Sequence, residues 1–141
     1  MNLEHIEHEY KIIESRWEQY KSKFLELDFA EIKDGCLVFS LLSYDFFVKR
    51  KLILSDFTPY LQLRFTTRSI DGQPHYFDLF LGRNSRFYLE DELCHKLSGT
   101  YIDYKDLQEC KFFILTQLRE YLLRASFFMK ISEEQKHGQN H

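Results

Sequence analysis

Apolar residues recur at the start of the chain at Leu3, Ile6, Tyr10, Ile13, Trp17, Tyr20 and Phe24, alternately three and four positions apart. That spacing lays a narrow stripe along one face of a helix for about three heptads. Asn2 is placed to cap the helix, Glu4 and Glu7 lie near the positive end of its dipole, and Glu7 and Lys11 stand one turn apart. A stripe of this period can serve a coiled coil or a helix lying on a sheet. Four of the seven positions are aromatic, whereas coiled-coil seams use Leu, Ile and Val, so packing on the chain's own sheet is expected.

The period then changes to two. Asp34-Gly35 separates Phe29–Lys33 from Cys36–Phe39, the pattern of a hairpin closed by a type I′ turn, which needs positive φ at both central residues. Phe46–Leu54 reads as a third strand, and Thr58-Pro59 is expected to break the chain, since proline donates nothing to a ladder. From Tyr60 onward Leu61, Leu63 and Phe65 point one way, and Gln62, Arg64, Thr66 and Arg68 the other. A further strand puts His75, Phe77, Leu79 and Leu81 on one face and Tyr76, Asp78 and Phe80 on the opposite one. Cross-strand neighbours share a face, so the odd-numbered apolar residues of these two strands must pair. That excludes a two-residue turn at Asp71-Gly72 and requires an odd loop of three or five residues.

Arg83-Asn84-Ser85 follows as a loop. Glu90–Leu97 is expected to form a short helix, with acids at its start, His95 and Lys96 at its end and Gly99 just beyond. A last helix, capped by Asp103 or Thr100, should run from about Tyr104 to Met129, with Leu107, Cys110, Ile114, Leu118, Tyr121 and Ala125 along one face. Helix, strands, helix is an α+β order: a long N-terminal helix, an antiparallel sheet of about five strands, and a short and a long C-terminal helix packed on one face. Residues 1–131 are expected to form one domain, and the polar residues 132–141 a flexible tail.

Composition sharpens this picture in one respect. Fourteen Phe and nine Tyr stand beside only five Gly and two Pro, which argues for a well-filled core. No apolar run is long enough to span a bilayer, and the N-terminus lacks a secretory pattern. Cys36, Cys94 and Cys110 form no CxxC pair and are odd in number, as thiols of a reducing compartment would be, so a cytoplasmic location is expected. The net charge of -3 is unevenly spread: residues 1–34 carry nine acids against five bases and residues 71–109 eight against four, while residues 46–70 carry Lys49, Arg50, Lys51, Arg64 and Arg68 against Asp56 alone. Segregation of this kind steers charged partners.

Candidate chemistry is thin. His5 and His8 are one helical turn apart, but the His-Glu-x-x-His spacing is absent and no third ligand lies near, so no metal is expected. Cys94 and His95 are adjacent and therefore point apart on a helix, and Cys110 falls inside an apolar stripe. His137 and His141 belong to the polar tail. No glycine-rich phosphate cradle occurs, and no cofactor is expected. Lys49-Arg50-Lys51 is a short basic run in an acidic chain, and Phe65 and Phe77 fall on the core face, which makes nucleic acid a poor fit.

What remains is the outward face of the long hairpin, where Arg64, Arg68, Tyr76 and Asp78 should lie together, with Arg68 and Asp78 near enough for an ion pair. Arg and Tyr are favoured at binding hot spots. The expected function is that of a small acidic cytosolic protein that docks on or neutralises a partner protein, as an immunity protein or a secretion chaperone does. The alternative is a small-ligand binder or enzyme with a pocket between helix and curved sheet, where His75 or Asp78 would carry the chemistry. A third expectation is a homodimer built on the Leu3–Phe24 stripe.

Overall fold

The computed structural model describes residues 2–125, so the polar tail at 132–141 and the expected helix end at Met129 lie outside the described residues. The elements are α1 (Leu3–Phe24), β1 (Ala30–Lys33), β2 (Cys36–Leu41), β3 (Tyr44–Ser55), β4 (Thr58–Arg68), β5 (Pro74–Leu81), β6 (Arg86–Leu89), α2 (Glu90–Cys94), β7 (Thr100–Tyr101) and α3 (Leu107–Arg124). The fold is α+β. Its strands form one antiparallel sheet of seven in strict sequence order, β1 to β7, rather than about five.

α1 starts where the Asn2 side chain accepts a hydrogen bond from the Glu4 amide at 2.9 Å. Ile6, Ile13, Trp17, Tyr20 and Phe24 of its stripe are buried. They pack on the inner face of the chain's own sheet, where Phe24 meets Phe39 and Tyr20 meets Phe87 edge to face. α3 covers the same face: Tyr121 packs edge-on to Phe46 and tilted against Phe77, and Phe113 lies against Phe87. The Tyr20 hydroxyl, buried beneath both helices, lies 2.8 Å from the Ser85 carbonyl and 2.9 Å from that of Ile102. It therefore ties α1 to the β5–β6 turn and to the segment leading into α3.

The turns between the first four strands share one geometry. Asp34 and Gly35 have φ of 50° and 78°, as a type I′ turn requires. Two more hairpins use the same geometry without glycine: Leu42-Ser43 (53° and 68°) and Asp56-Phe57 (49° and 63°). Lacking a glycine, neither pair signals its turn in the sequence. Thr58-Pro59 does not break the chain, because Pro59 pairs with Leu54 inside the ladder. Ser55 and Thr58 flank the turn and form the closing hydrogen-bonded pair, so alternation makes Leu54–Pro59 a non-bonded pair in which no amide hydrogen is needed.

Between β4 and β5 the register runs Leu61–Leu81, Leu63–Leu79, Phe65–Phe77 and Arg68–Pro74. Odd apolar residues pair with odd, and the loop at 69–73 has the odd length that parity demands. The Ser69 amide reaches Gln73 O, the Gly72 amide reaches Ser69 O, and Gly72 takes the positive φ of 80°.

The C-terminal third departs most from the sequence-based expectation. Arg86–Leu89 and Thr100–Tyr101 add the two strands that periodicity misses, because neither is long enough to show alternation. α2 ends at Cys94, with His95 as C-cap and Lys96 in the left-handed region at φ 54°. The Leu97 amide bonds Glu92 O and the Lys96 amide bonds Leu93 O, which completes a Schellman closure. Lys96 thus holds the place expected of Gly99. α3 is capped by Asp106, which accepts from the Gln108 and Glu109 amides, rather than by Asp103 or Thr100.

Candidate functional site: the outward sheet face

The face turned away from α1 and α3 carries Gln62, Arg64 and Thr66 of β4 and Tyr76 and Asp78 of β5, with Val38, Phe47, Ile53 and Phe80 on the same side. At its centre the β4–β5 register sets Arg64 directly opposite Asp78, and Thr66 opposite Tyr76. The Arg64 guanidinium donates from Nε to Asp78 Oδ1 at 2.9 Å and from Nη2 to Oδ2 at 3.0 Å, a bidentate fork. Gln62 Nε2 donates to the same Oδ2 at 3.1 Å. Three donors cover a carboxylate whose side chain is only 8% exposed, while that of Arg64 is 42% exposed. The guanidinium also lies 4.0 Å from the centre of the Tyr76 ring, in a cation–π contact, and Tyr76 is 56% exposed.

Arg64, Tyr76 and Asp78 are therefore brought together as the alternation implies, and Arg68 is not. Arg68 stands opposite Pro74 and its Nη1 donates to Gly72 O at 3.1 Å, so it braces the 69–73 loop. The ion pair expected for Arg68 and Asp78 belongs to Arg64 instead, because the five-residue loop sets Arg64 level with Asp78. His75 lies opposite Thr67, one residue out of phase with Tyr76, and so faces away from Asp78. His75 and Asp78 are thus on opposite faces of the sheet.

The acidic and basic segments meet elsewhere. Arg50 of β3 reaches Glu14 at 3.4 Å and Glu18 at 3.6 Å on α1, and Arg83 binds Glu9, which also holds His5 at 3.1 Å. Lys49 and Lys51, on the outward face beside Arg64 and Gln62, take part in no ion pair among the described residues. Surface recesses open at the margins of the sheet. One, of about 380 Å³, is lined by Tyr60 and Tyr88 together with Glu92, Leu93, Lys96 and Leu97 around α2, and the Asp56–Lys96 pair at 3.0 Å spans it. Burial raises the Tyr60 phenol above its ordinary pKa. Another, of about 360 Å³, opens between Trp17 and Lys21 of α1 and Cys36, Leu37, Val48 and Lys49 of the sheet.

Among the described residues no group of three or more His, Cys, Asp or Glu is placed to hold a metal ion. No helix among them is long and apolar enough to cross a membrane. No family model matches the chain, and no curated protein or solved structure does so either.

Two features of this surface escape the sequence pattern. Phe57 sits at the tip of the β3–β4 hairpin, 73% exposed and at a positive φ that costs a bulky residue energy. β3 also runs seven residues past the last rung it shares with β2, so that more than half of its twelve residues form a free sheet edge. A turn without glycine and a strand longer than its neighbour leave no mark on periodicity.

Proposed function

We propose that this chain is a protein-binding module that docks on a specific partner through the outward face of its sheet, neutralising or escorting that partner as an immunity protein or secretion chaperone would. The observation that carries this reading is the Arg64–Tyr76–Asp78 cluster. An exposed aromatic ring and a guanidinium are held in fixed geometry on the two central strands, and their ordering entropy is already spent before binding. What favours it over a ligand pocket between helix and sheet is the packing there: Tyr20, Phe24, Phe39, Phe65, Leu63 and Ile114 fill the interior, and the recess beside Trp17 opens at its margin. The three free thiols suit a reducing, cytoplasmic setting.

The test begins with native mass spectrometry on the chain isolated gently from its own cells, to find a stoichiometric second protein. The affinity of that protein is then measured for wild type, Tyr76→Ala and Arg64→Ala. A loss of about tenfold or more per variant, with thermal unfolding still cooperative, supports the reading. Unchanged affinity in both removes the sheet face as the site.

A further inference from the structure

β3 has an open edge where β2 stops. The last rung between them is Leu37–Val48, whereas β3 continues to Ser55 against β4 alone. Ladder alternation from the closing pair Ser55–Thr58 assigns the inward-bonded positions to Ser55, Ile53, Lys51 and Lys49. The N–H and C=O groups of Arg50, Leu52 and Leu54 therefore point away from β4, and no hydrogen bond to them occurs among the described residues. The side chains around this edge alternate. Lys49 and Lys51 stand on the outward face, and Leu52 and Leu54, both exposed, stand on the other.

We infer that this edge of β3 accepts an extended segment of the partner by strand addition, and that the segment alternates acidic with apolar residues. This rests on the protein-binding reading above and names the chemistry of the partner. From Arg50 to Ser55 the edge spans about 17 Å at roughly 3.4 Å per residue, room for one strand of about five or six residues. The segment's carboxylates fall beside Lys49 and Lys51, and its apolar side chains lie over Leu52 and Leu54. Its inner end reaches the recess between Trp17, Val48 and Lys21, where another ammonium group stands. Phe57, held at positive φ at the hairpin tip, borders the outer end.

Charge decides the occupant. A second copy of this chain, added antiparallel at the same edge, would bring two copies of Lys51 to one small patch with Lys49 beside them, and like charges across strands repel. Lysines on an exposed edge are also a common defence against self-pairing. The same two residues that deter a copy attract an acidic strand.

The test uses the full chain with a blocked, fluorescently labelled peptide alternating Glu and Val, and a control alternating Lys and Val. Anisotropy is read up to about 1 mM peptide at low and physiological salt, and amide hydrogen exchange is read residue by residue. The expected result is that the Glu–Val peptide binds, weakens with salt, and slows exchange at Arg50, Leu52 and Leu54 while leaving Lys49 and Lys51, already bonded, unchanged. The Lys49→Glu, Lys51→Glu double variant, confined to exposed side chains, should weaken it by roughly tenfold or more and admit the Lys–Val peptide instead. The inference is overturned if neither peptide binds, if both bind alike, if protection appears elsewhere, or if the edge amides are protected without peptide as concentration rises, which would make the occupant a second copy. Because Tyr76 and Arg64 lie outside this edge, partner binding that still depends on them would leave the sheet-face reading standing while this one falls.

Discussion

Arg64 and Asp78 face each other across β4 and β5 and are joined by two hydrogen bonds of 2.9 and 3.0 Å, the carboxylate nearly covered and the guanidinium half in solvent. A fork of this kind is worth more as a positioning device than as a source of stability, since the exposed end is screened by water. Its removal is nonetheless asymmetric. Arg64→Ala leaves the Asp78 carboxylate with only the Gln62 amide. Asp78→Ala leaves a guanidinium that can turn to water. The first is expected to cost about 1–2 kcal/mol and the second less. Urea unfolding of both single variants and the double variant gives the coupling as a thermodynamic cycle, and additive effects would deny that the pair acts as a unit.

Arg68 supplies the contrast. Its guanidinium meets only a loop carbonyl at an exposed site, so Arg68→Ala should change stability by less than about 0.5 kcal/mol and leave partner affinity close to wild type. An effect on affinity equal to that of Arg64→Ala would restore Arg68 to the site.

Gly99 is required by close approach rather than by helix termination. A Cβ built there would collide with the Phe87 carbonyl oxygen and lie 2.9 Å from two ring carbons of Tyr88. The backbone oxygen is fixed by the β6–β7 ladder, where Phe87 pairs with Thr100. Gly99→Ala should therefore destabilise by about 2–3 kcal/mol. At Gly82 the nearest neighbour is the flexible end of Asn84, so Gly82→Ala should lose less. Midpoints of chemical unfolding for the two variants settle the order.

How much of this was legible in the sequence depends on the physical signal each part leaves. α1 and the β4–β5 pair show clean periods of 3.6 and 2, because each buries one face and wets the other. Asp34-Gly35 announced its turn because glycine suits positive φ, whereas Leu42-Ser43 and Asp56-Phe57 take the same geometry unannounced. Parity fixes which residues share a face, and so placed Arg64, Tyr76 and Asp78 together. It leaves the pairing free to slide by two, and only the length of the 69–73 loop decides that Arg64, not Arg68, meets Asp78. The free edge of β3 is a property of two strands' relative lengths and is invisible in either one alone.

Alkaline pH should unfold the chain through two buried groups. Burial pushes the Cys110 thiol up to about 11 from its ordinary 9.0, and burial raises the Tyr20 phenol well above its ordinary 10.0. Both groups are neutral when protonated and have raised values in the folded state. The stability they contribute is thus fully present below pH 9 and is lost as pH rises, first through the thiol and then through the phenol. In the window where only the unfolded chain releases the proton, each group steepens the decline by up to about 1.4 kcal/mol per pH unit. Cys110→Ala should flatten the curve between pH 9 and 11, measured by urea unfolding at stepped pH, and an unchanged slope would show that the thiol does not titrate differently on folding.

Phe57 offers a trade between stability and binding. It holds a positive φ of 63° while its ring stands in solvent, so nothing in the fold rewards the strain. Phe57→Gly should relieve that strain and raise stability by up to about 1 kcal/mol, although glycine returns part of the gain through the greater freedom of its unfolded chain. If the hairpin tip borders a docked strand, the same substitution should weaken capture of the acidic peptide several-fold, by roughly 1 kcal/mol of lost ring contact. Thermal unfolding and peptide anisotropy on one preparation read both quantities. A variant that gains stability and keeps full affinity would mean that the ring plays no part in docking, and the edge proposal would then rest on Lys49, Lys51 and the open backbone of β3 alone.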